Sequence, residues 1–100
     1  MRVDLHGATV LVTGGTRGIG RALVDAFAEA GANVAFTFRT STDAAANLVT
    51  ALEEQGTEAL SLQGDVADLD VAQDHVNAVT ERFGALDVLV NNAGITRDGL

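Results

Sequence analysis

Within its first thirty residues the chain passes from an apolar block, through a turn spaced by glycines, into a segment of helical periodicity. The apolar block, Ala8 to Val12, reads as a buried strand, and Ile19, Ala22, Leu23, Ala26, Phe27 and Ala30 fall on one helical stripe after the turn. The turn itself is TGGTRGIG, Thr13 to Gly20. A strand feeding a helix through so few residues brings the helix start close to the strand end, and side chains there would obstruct the approach.

The first turn of a helix carries unpaired backbone N–H groups and the positive end of the macrodipole, so it attracts an anion that can come near. Gly14 permits a sharp turn at the strand end, Gly18 lets the backbone approach a ligand, and Gly20 lets the helix pack on the strand. The spacing is G-x-x-x-G-x-G and differs from the G-x-G-x-x-G dinucleotide fingerprint. It is not a Walker loop either, because the chain has no Lys. A glycine cluster alone also fits an ordinary structural turn. Its place between strand and helix favours a nucleotide diphosphate as the ligand.

The rest of the chain alternates in the same way. Asn33 to Phe38 reads as a second strand. A helix capped by Ser41, Thr42 or Asp43 then runs to about Gln55, with Ala45, Leu48 and Leu52 facing inward and Gly56 ending it. Ala59 to Gln63 is a short third strand, and Asp68 caps a third helix with Ala72, Val76, Val79 and Phe83 at helical spacing. Gly84 closes that helix and Asp87 to Val90 forms a fourth strand, after which Asn91 to Leu100 begins a loop. This β-α-β-α-β-α-β order predicts an α/β fold with a parallel sheet and helices on its faces.

One hundred residues hold a single domain at most, and with 47% hydrophobic residues the chain should fold. A net charge of −8, six scattered Arg residues and only four Phe as aromatics argue against nucleic acid as a partner. No Cys is present, which excludes disulfides and thiolate metal sites. Neither a signal-peptide core nor a stretch long enough to cross a membrane is evident, so a cytoplasmic protein is the expectation. His6 and His75 lie far apart without metal-site spacing and read as solvent-facing or packed residues, so no metal site is expected. Glu53, Glu54 and Asp74 read as solvated helix faces, and Arg97 with Asp98 as a structural pair.

Three motifs at consistent positions carry a resemblance: TGGTRGIG after the first strand, GDV at Gly64 to Val66 after the third, and NNAG at Asn91 to Gly94 after the fourth. Together they resemble the classical short-chain dehydrogenase/reductase family, over essentially the whole chain from Leu5 but over less than half of a typical member. The resemblance implies a Rossmann-like, doubly wound parallel sheet with strand order 3-2-1-4, present in part. It implies that residues 1–100 are the N-terminal cofactor-binding part of one domain, with the catalytic part absent. Gly14, Thr16, Arg17, Gly18, Ile19 and Gly20 then match the turn around the cofactor phosphates. Asp65 and Val66 match the adenine contact, and Asn91, Ala93 and Gly94 the loop along the ribose toward the nicotinamide. Asp65 is equally a residue that caps a turn, and Asn91 one that braces neighbouring strands.

Cofactor choice turns on the end of the second strand. Members that prefer NAD carry a carboxylate there for the ribose 2′-hydroxyl, whereas a 2′-phosphate needs cations and donors. This chain has Phe38-Arg39-Thr40-Ser41, so Arg39, with Arg17 opposite, favours NADPH; the alternative is that both point into water. The continuation NNAGITRDGL is most similar to the branch that reduces 3-oxoacyl thioesters in fatty-acid synthesis. That implies an acyl carrier protein or CoA thioester as substrate and a homo-oligomer, a tetramer by family, as the assembled form. An acetoacetyl-CoA reductase or a reductase of sugars, steroids or polyols is an alternative, and a non-catalytic nucleotide-binding or interaction module ending near residue 100 is another.

The family protonates the forming alkoxide with a Tyr whose pKa a nearby Lys lowers, helped by Ser and Asn. The chain contains no Tyr and no Lys, and Ser41 and Ser61 do not match the catalytic Ser, so no catalytic residue is assigned here. In the 3-2-1-4 order, Val88, Leu89 and Val90 would form an open edge strand prone to pairing. The isolated hundred residues are therefore predicted to be poorly soluble or weakly folded. Circular-dichroism melts at several concentrations check this: a cooperative, concentration-independent transition at high concentration contradicts it.

Overall fold

A computed structural model describes residues 3–92. The elements follow one another as β1 (Thr9–Val12), α1 (Gly18–Glu29), β2 (Asn33–Phe38), α2 (Thr42–Glu54), β3 (Ala59–Gln63), α3 (Leu69–Phe83) and β4 (Val88–Val90). All strand pairs are parallel and the sheet order is β3-β2-β1-β4. β1 lies between β2 and β4, with Val10 opposite both Val34 and Val88, and β2 pairs β3 from Val34–Ala59 to Phe38–Gln63.

Helices cover both faces. Val10, Val12, Val34 and Phe36 pack with Val24 and Ala28 of α1 and Ala45, Leu48 and Leu52 of α2. Leu11 and Ala35 face the other way and pack with Val79 of α3, flanked by Leu60, Leu62, Val76 and Phe83. This doubly wound arrangement explains the strand composition. β1 and most of β2 are buried throughout and need apolar residues on both faces, whereas β3 and β4 are half-buried. Leu89 of β4 remains 55% exposed.

The inward row of α1 differs from the expected stripe. Gly20, Val24 and Ala28 are buried, with Leu23 and Phe27 half-buried beside them, while Ala22 and Ala26 are exposed and Ile19 is 71% exposed. Close backbone contact at Gly20 sets the helix rotation, which turns the Gly20-Val24-Ala28 row, spaced four residues apart, toward the sheet. α2 matches the expected face, with Ala45, Leu48 and Leu52 buried. α3 starts on Asp68, whose carboxylate accepts from the Asp70 and Val71 amides, and ends on Gly84 at φ 88°. Its most buried residues are Val79 and His75, so His75 is packed. β4 begins one residue later than expected, and Asp87 just before it is tied to Thr9 twice, its amide donating to the Thr9 carbonyl at 2.9 Å and its carboxylate accepting from the Thr9 amide at 2.8 Å.

Gly15 is buried where α1 crosses β2. A Cβ there would lie 2.6 Å from Phe36 Cβ and 3.0 Å from Val24 Cγ2. Gly15→Ala is expected to lower stability by about 1–3 kcal/mol through overpacking, read from the denaturant midpoint.

Candidate functional site

Because the four strands are parallel, their carboxyl ends share one edge of the sheet, and the segments leaving that edge meet there. They enclose a cavity of about 370 Å³. Gly14, Thr16 and Arg17 line it after β1, Phe38 to Ser41 after β2, Gly64 to Ala67 after β3, and Asn91 after β4.

The glycine turn is held from two sides. The Gly14 amide donates to Thr37 Oγ1 at 2.9 Å and the Gly15 amide to the Thr37 carbonyl at 3.0 Å, so β2 grips the turn through one buried residue. From the end of β4 and the residues after it, Asn92 Nδ2 donates to the Gly14 carbonyl at 3.2 Å, and the Thr13 amide donates to the Val90 carbonyl at 3.0 Å. A Cβ on Gly20 would overlap that same Gly14 carbonyl and come within 2.8 Å of Asn92 Nδ2. Gly20 is thus the residue that allows α1 to start directly against the turn. Gly18 serves differently: its φ of 61° is left-handed, and the space where a Cβ would project is open.

The helix end is electrostatically available. Arg17 at the N-cap makes no side-chain cap hydrogen bond, and the first turn of α1 contains no acidic residue. Its backbone N–H groups and dipole therefore meet no negative side chain from their own helix. Arg17 and Arg39 both line the cavity, so two basic residues border it. Arg39 is 73% exposed along its side chain and its Nη2 stands 3.8 Å from Asp65 Oδ2. A pair so exposed and so long is weak, which leaves Arg39 able to exchange partners. Asp65 also accepts from the Ala67 amide at 3.0 Å, and its carbonyl accepts from the Asp68 amide at 3.0 Å, so it organises the turn into α3 as well as lining the cavity. The turn-capping reading of this residue is thus met by its own hydrogen bonds.

Of the residues singled out in the sequence, Gly14, Thr16, Arg17, Arg39, Asp65, Val66 and Asn91 line one cavity. Gly18, Ile19 and Gly20 form the first turn of α1 behind it and do not line it. Ala93 and Gly94 lie outside the described residues, as do Arg97 and Asp98. Asn91 reaches the cavity and its Oδ1 accepts from Thr13 Oγ1 at 3.3 Å, which joins β4 to β1 as a brace. Thr37, Gly15 and Asn92 were not singled out. The Asn pair at the end of the fourth strand hinted at Asn92, whereas a Thr in the middle of an apolar strand gives no sign that its hydroxyl faces a turn. Among the described residues no three His, Cys, Asp or Glu side chains are grouped to hold a metal ion, and no helix is long and apolar enough to cross a membrane.

The short chain dehydrogenase family model matches residues 8–100. The chain belongs to this family. It is 45% identical over 92 residues to a 3-oxoacyl-[acyl-carrier-protein] reductase of Staphylococcus aureus, covering 92% of this chain and 37% of that protein. It is 47% identical over 91 residues to L-rhamnose 1-dehydrogenase (NAD(P)(+)) of a Sphingomonas species, covering 91% of this chain and 36% of that one. The fold superposes on a short chain dehydrogenase from Burkholderia cenocepacia, solved in complex with NADP, with a TM-score of 0.88 and 44% identity over 97% of this chain and 41% of that chain. An L-sorbose reductase from Gluconobacter frateurii, solved with NADPH and L-sorbose, gives a TM-score of 0.86 at 32% identity over 95% and 36% of the two chains. The chain thus spans little more than a third of the length of the relatives it matches.

Thr37→Val removes the acceptor for the Gly14 amide while keeping the side-chain shape. It should lower stability by about 1–3 kcal/mol, the cost of a buried donor left unpaired, and Thr37→Ser should recover most of the loss in the same denaturation measurement.

Proposed function

We propose that residues 1–100 are the N-terminal cofactor-binding part of a single-domain oxidoreductase that uses NADPH. The observation that carries this reading is the cavity at the carboxyl edge of the sheet, with an uncapped helix start on one side and Arg39 at the end of β2 on the other. The diphosphate would lie across the turn from Gly14 to Gly20, taking hydrogen bonds from the first amides of α1, with Thr16 and Arg17 beside it. The adenosine would rest against Asp65 and Val66, and Asn91, Ala93 and Gly94 would follow the ribose toward the nicotinamide. The 2′-phosphate would take Arg39 from its loose pair with Asp65 and meet Arg17 from the other side. The NADP and NADPH bound to related structures support this choice.

What this chain supplies is binding and orientation. NADPH, once bound, supplies a hydride to a carbonyl carbon, and the proton donor for the resulting alkoxide must come from outside these residues, which contain no Tyr and no Lys. The substrate reading we favour is a 3-oxoacyl thioester carried on acyl carrier protein or CoA and reduced to the 3-hydroxyacyl form by a homo-oligomeric enzyme, supported by the reductase at 45% identity. The sugar dehydrogenase at 47% identity supports a second reading, a polyol or sugar substrate. Assaying the full-length protein with acetoacetyl-CoA and with aldoses separates the two.

Titration with NADPH and NADH, followed by nicotinamide fluorescence, tests the cofactor reading. NADPH is expected to bind more tightly. Arg39→Ala should narrow the difference by about 1–3 kcal/mol, the scale of a charge-assisted hydrogen bond, and equal affinity of the unaltered protein for both coenzymes would remove Arg39 from this role.

A further inference from the structure

A second cavity, of about 110 Å³, lies on the α3 side of the sheet and shares Thr37, Val66 and Asn91 with the larger one. Those three residues form the partition between them. His75 lines the smaller cavity from α3, at an inward position where helical periodicity predicts an apolar side chain. It is only 6% exposed. Its Nε2 lies 3.1 Å from the Gln63 carbonyl oxygen, and its Nδ1 is buried with no hydrogen-bond partner among the described residues.

A carbonyl oxygen can only accept, so the contact with Gln63 requires a hydrogen on Nε2. In the neutral ring Nδ1 is then an acceptor awaiting a donor. Gln63 ends β3 and is held in two directions: its carbonyl takes the His75 ring, and its side-chain amide donates to the Arg39 carbonyl at 3.0 Å. Gly64 follows, its amide donating to the Phe38 carbonyl at 2.9 Å, and it has no room for a side chain, since a Cβ would stand 2.5 Å from Val71 Cγ1 and 3.2 Å from His75 Nε2. His75 thus reaches, through Gln63 alone, both Arg39 just after β2 and the Gly64-Asp65 turn.

We propose that His75 is a positioning residue for the far wall of the nucleotide site, donating from Nε2 to hold Gln63. Its functional consequence rests on the nucleotide reading above. A leucine would satisfy the packing at this position but would leave the Gln63 carbonyl without its donor, freeing the turn that carries Asp65.

The test uses the full-length protein. Long-range ¹H–¹⁵N spectra of the labelled imidazole should show the Nε2–H tautomer with a bare Nδ1, and an Nδ1–H tautomer overturns the proposal. His75→Leu should speed amide exchange at Gly64, Ala67 and Asp68 roughly tenfold and weaken NADPH binding by a similar factor, as for loss of one buried hydrogen bond, with Gly84 at the far end of α3 unchanged. His75→Gln, whose side-chain amide can replace the donor, should restore most of both. Unchanged exchange at Gly64 to Asp68 in His75→Leu, or an equal rise at Gly84, refutes the positioning role. Failure of the unaltered protein to bind NADPH, with the tautomer and exchange results as expected, defeats the nucleotide reading and leaves the hold on Gln63 standing.

Discussion

The grip of Thr37 on the glycine turn is the contact from which the rest of the site follows. Its hydroxyl takes the Gly14 amide and its carbonyl takes the Gly15 amide, so the end of β2 dictates where the chain leaving β1 can go. That path places Gly20 against the Gly14 carbonyl and Gly15 against Phe36, and the two contacts fix both the start and the rotation of α1. The positive pole of α1 then faces the cavity as a product of sheet register. Parallel pairing is what makes this possible, because it delivers the ends of β1 and β2 side by side.

The charges around the cavity are arranged loosely where a ligand would need them and tightly where the scaffold needs them. Arg39 and Asp65 face each other across 3.8 Å with both side chains largely in water, while the backbones that carry them are tied by Gln63 and by the Gly64 amide. Tied backbones with exposed side chains lower the cost of a guanidinium changing partners. On the opposite wall Arg17 has no capping duty, so its side chain is not committed to the helix it precedes.

Much of this was legible in the residues, for identifiable reasons. Buried strands such as Val10 to Val12 and Val34 to Phe36 are apolar on both faces, and caps such as Asp68 and Gly84 are chemically explicit, so the element order and the parallel sheet could be read directly. The family motifs located six residues that share one cavity, and the end of the second strand added Arg39. The inward face of α1 was misread because periodicity weighs Ala22 and Ala26 equally with Val24 and gives no weight to Gly20, where backbone proximity decides the rotation. Thr37 was invisible for a related reason: the direction of one hydroxyl within a buried strand depends on a neighbour far away in the chain. His75 was legible only as packed or exposed, since its partner is a main-chain oxygen that no side-chain pattern marks.

Asn91 and Asn92 follow β4, yet one lines the cavity and the other secures the Gly14 carbonyl nearly eighty residues earlier in the chain. The pocket is therefore finished by its most distant contributor. An occupant that touches both ends favours the state in which that outer strand is docked, by the ordinary mass-action linkage between ligand occupancy and folded structure. Saturation of the pocket then acts as a clasp on the whole sheet, and its grip tightens with the concentration of whatever fills it.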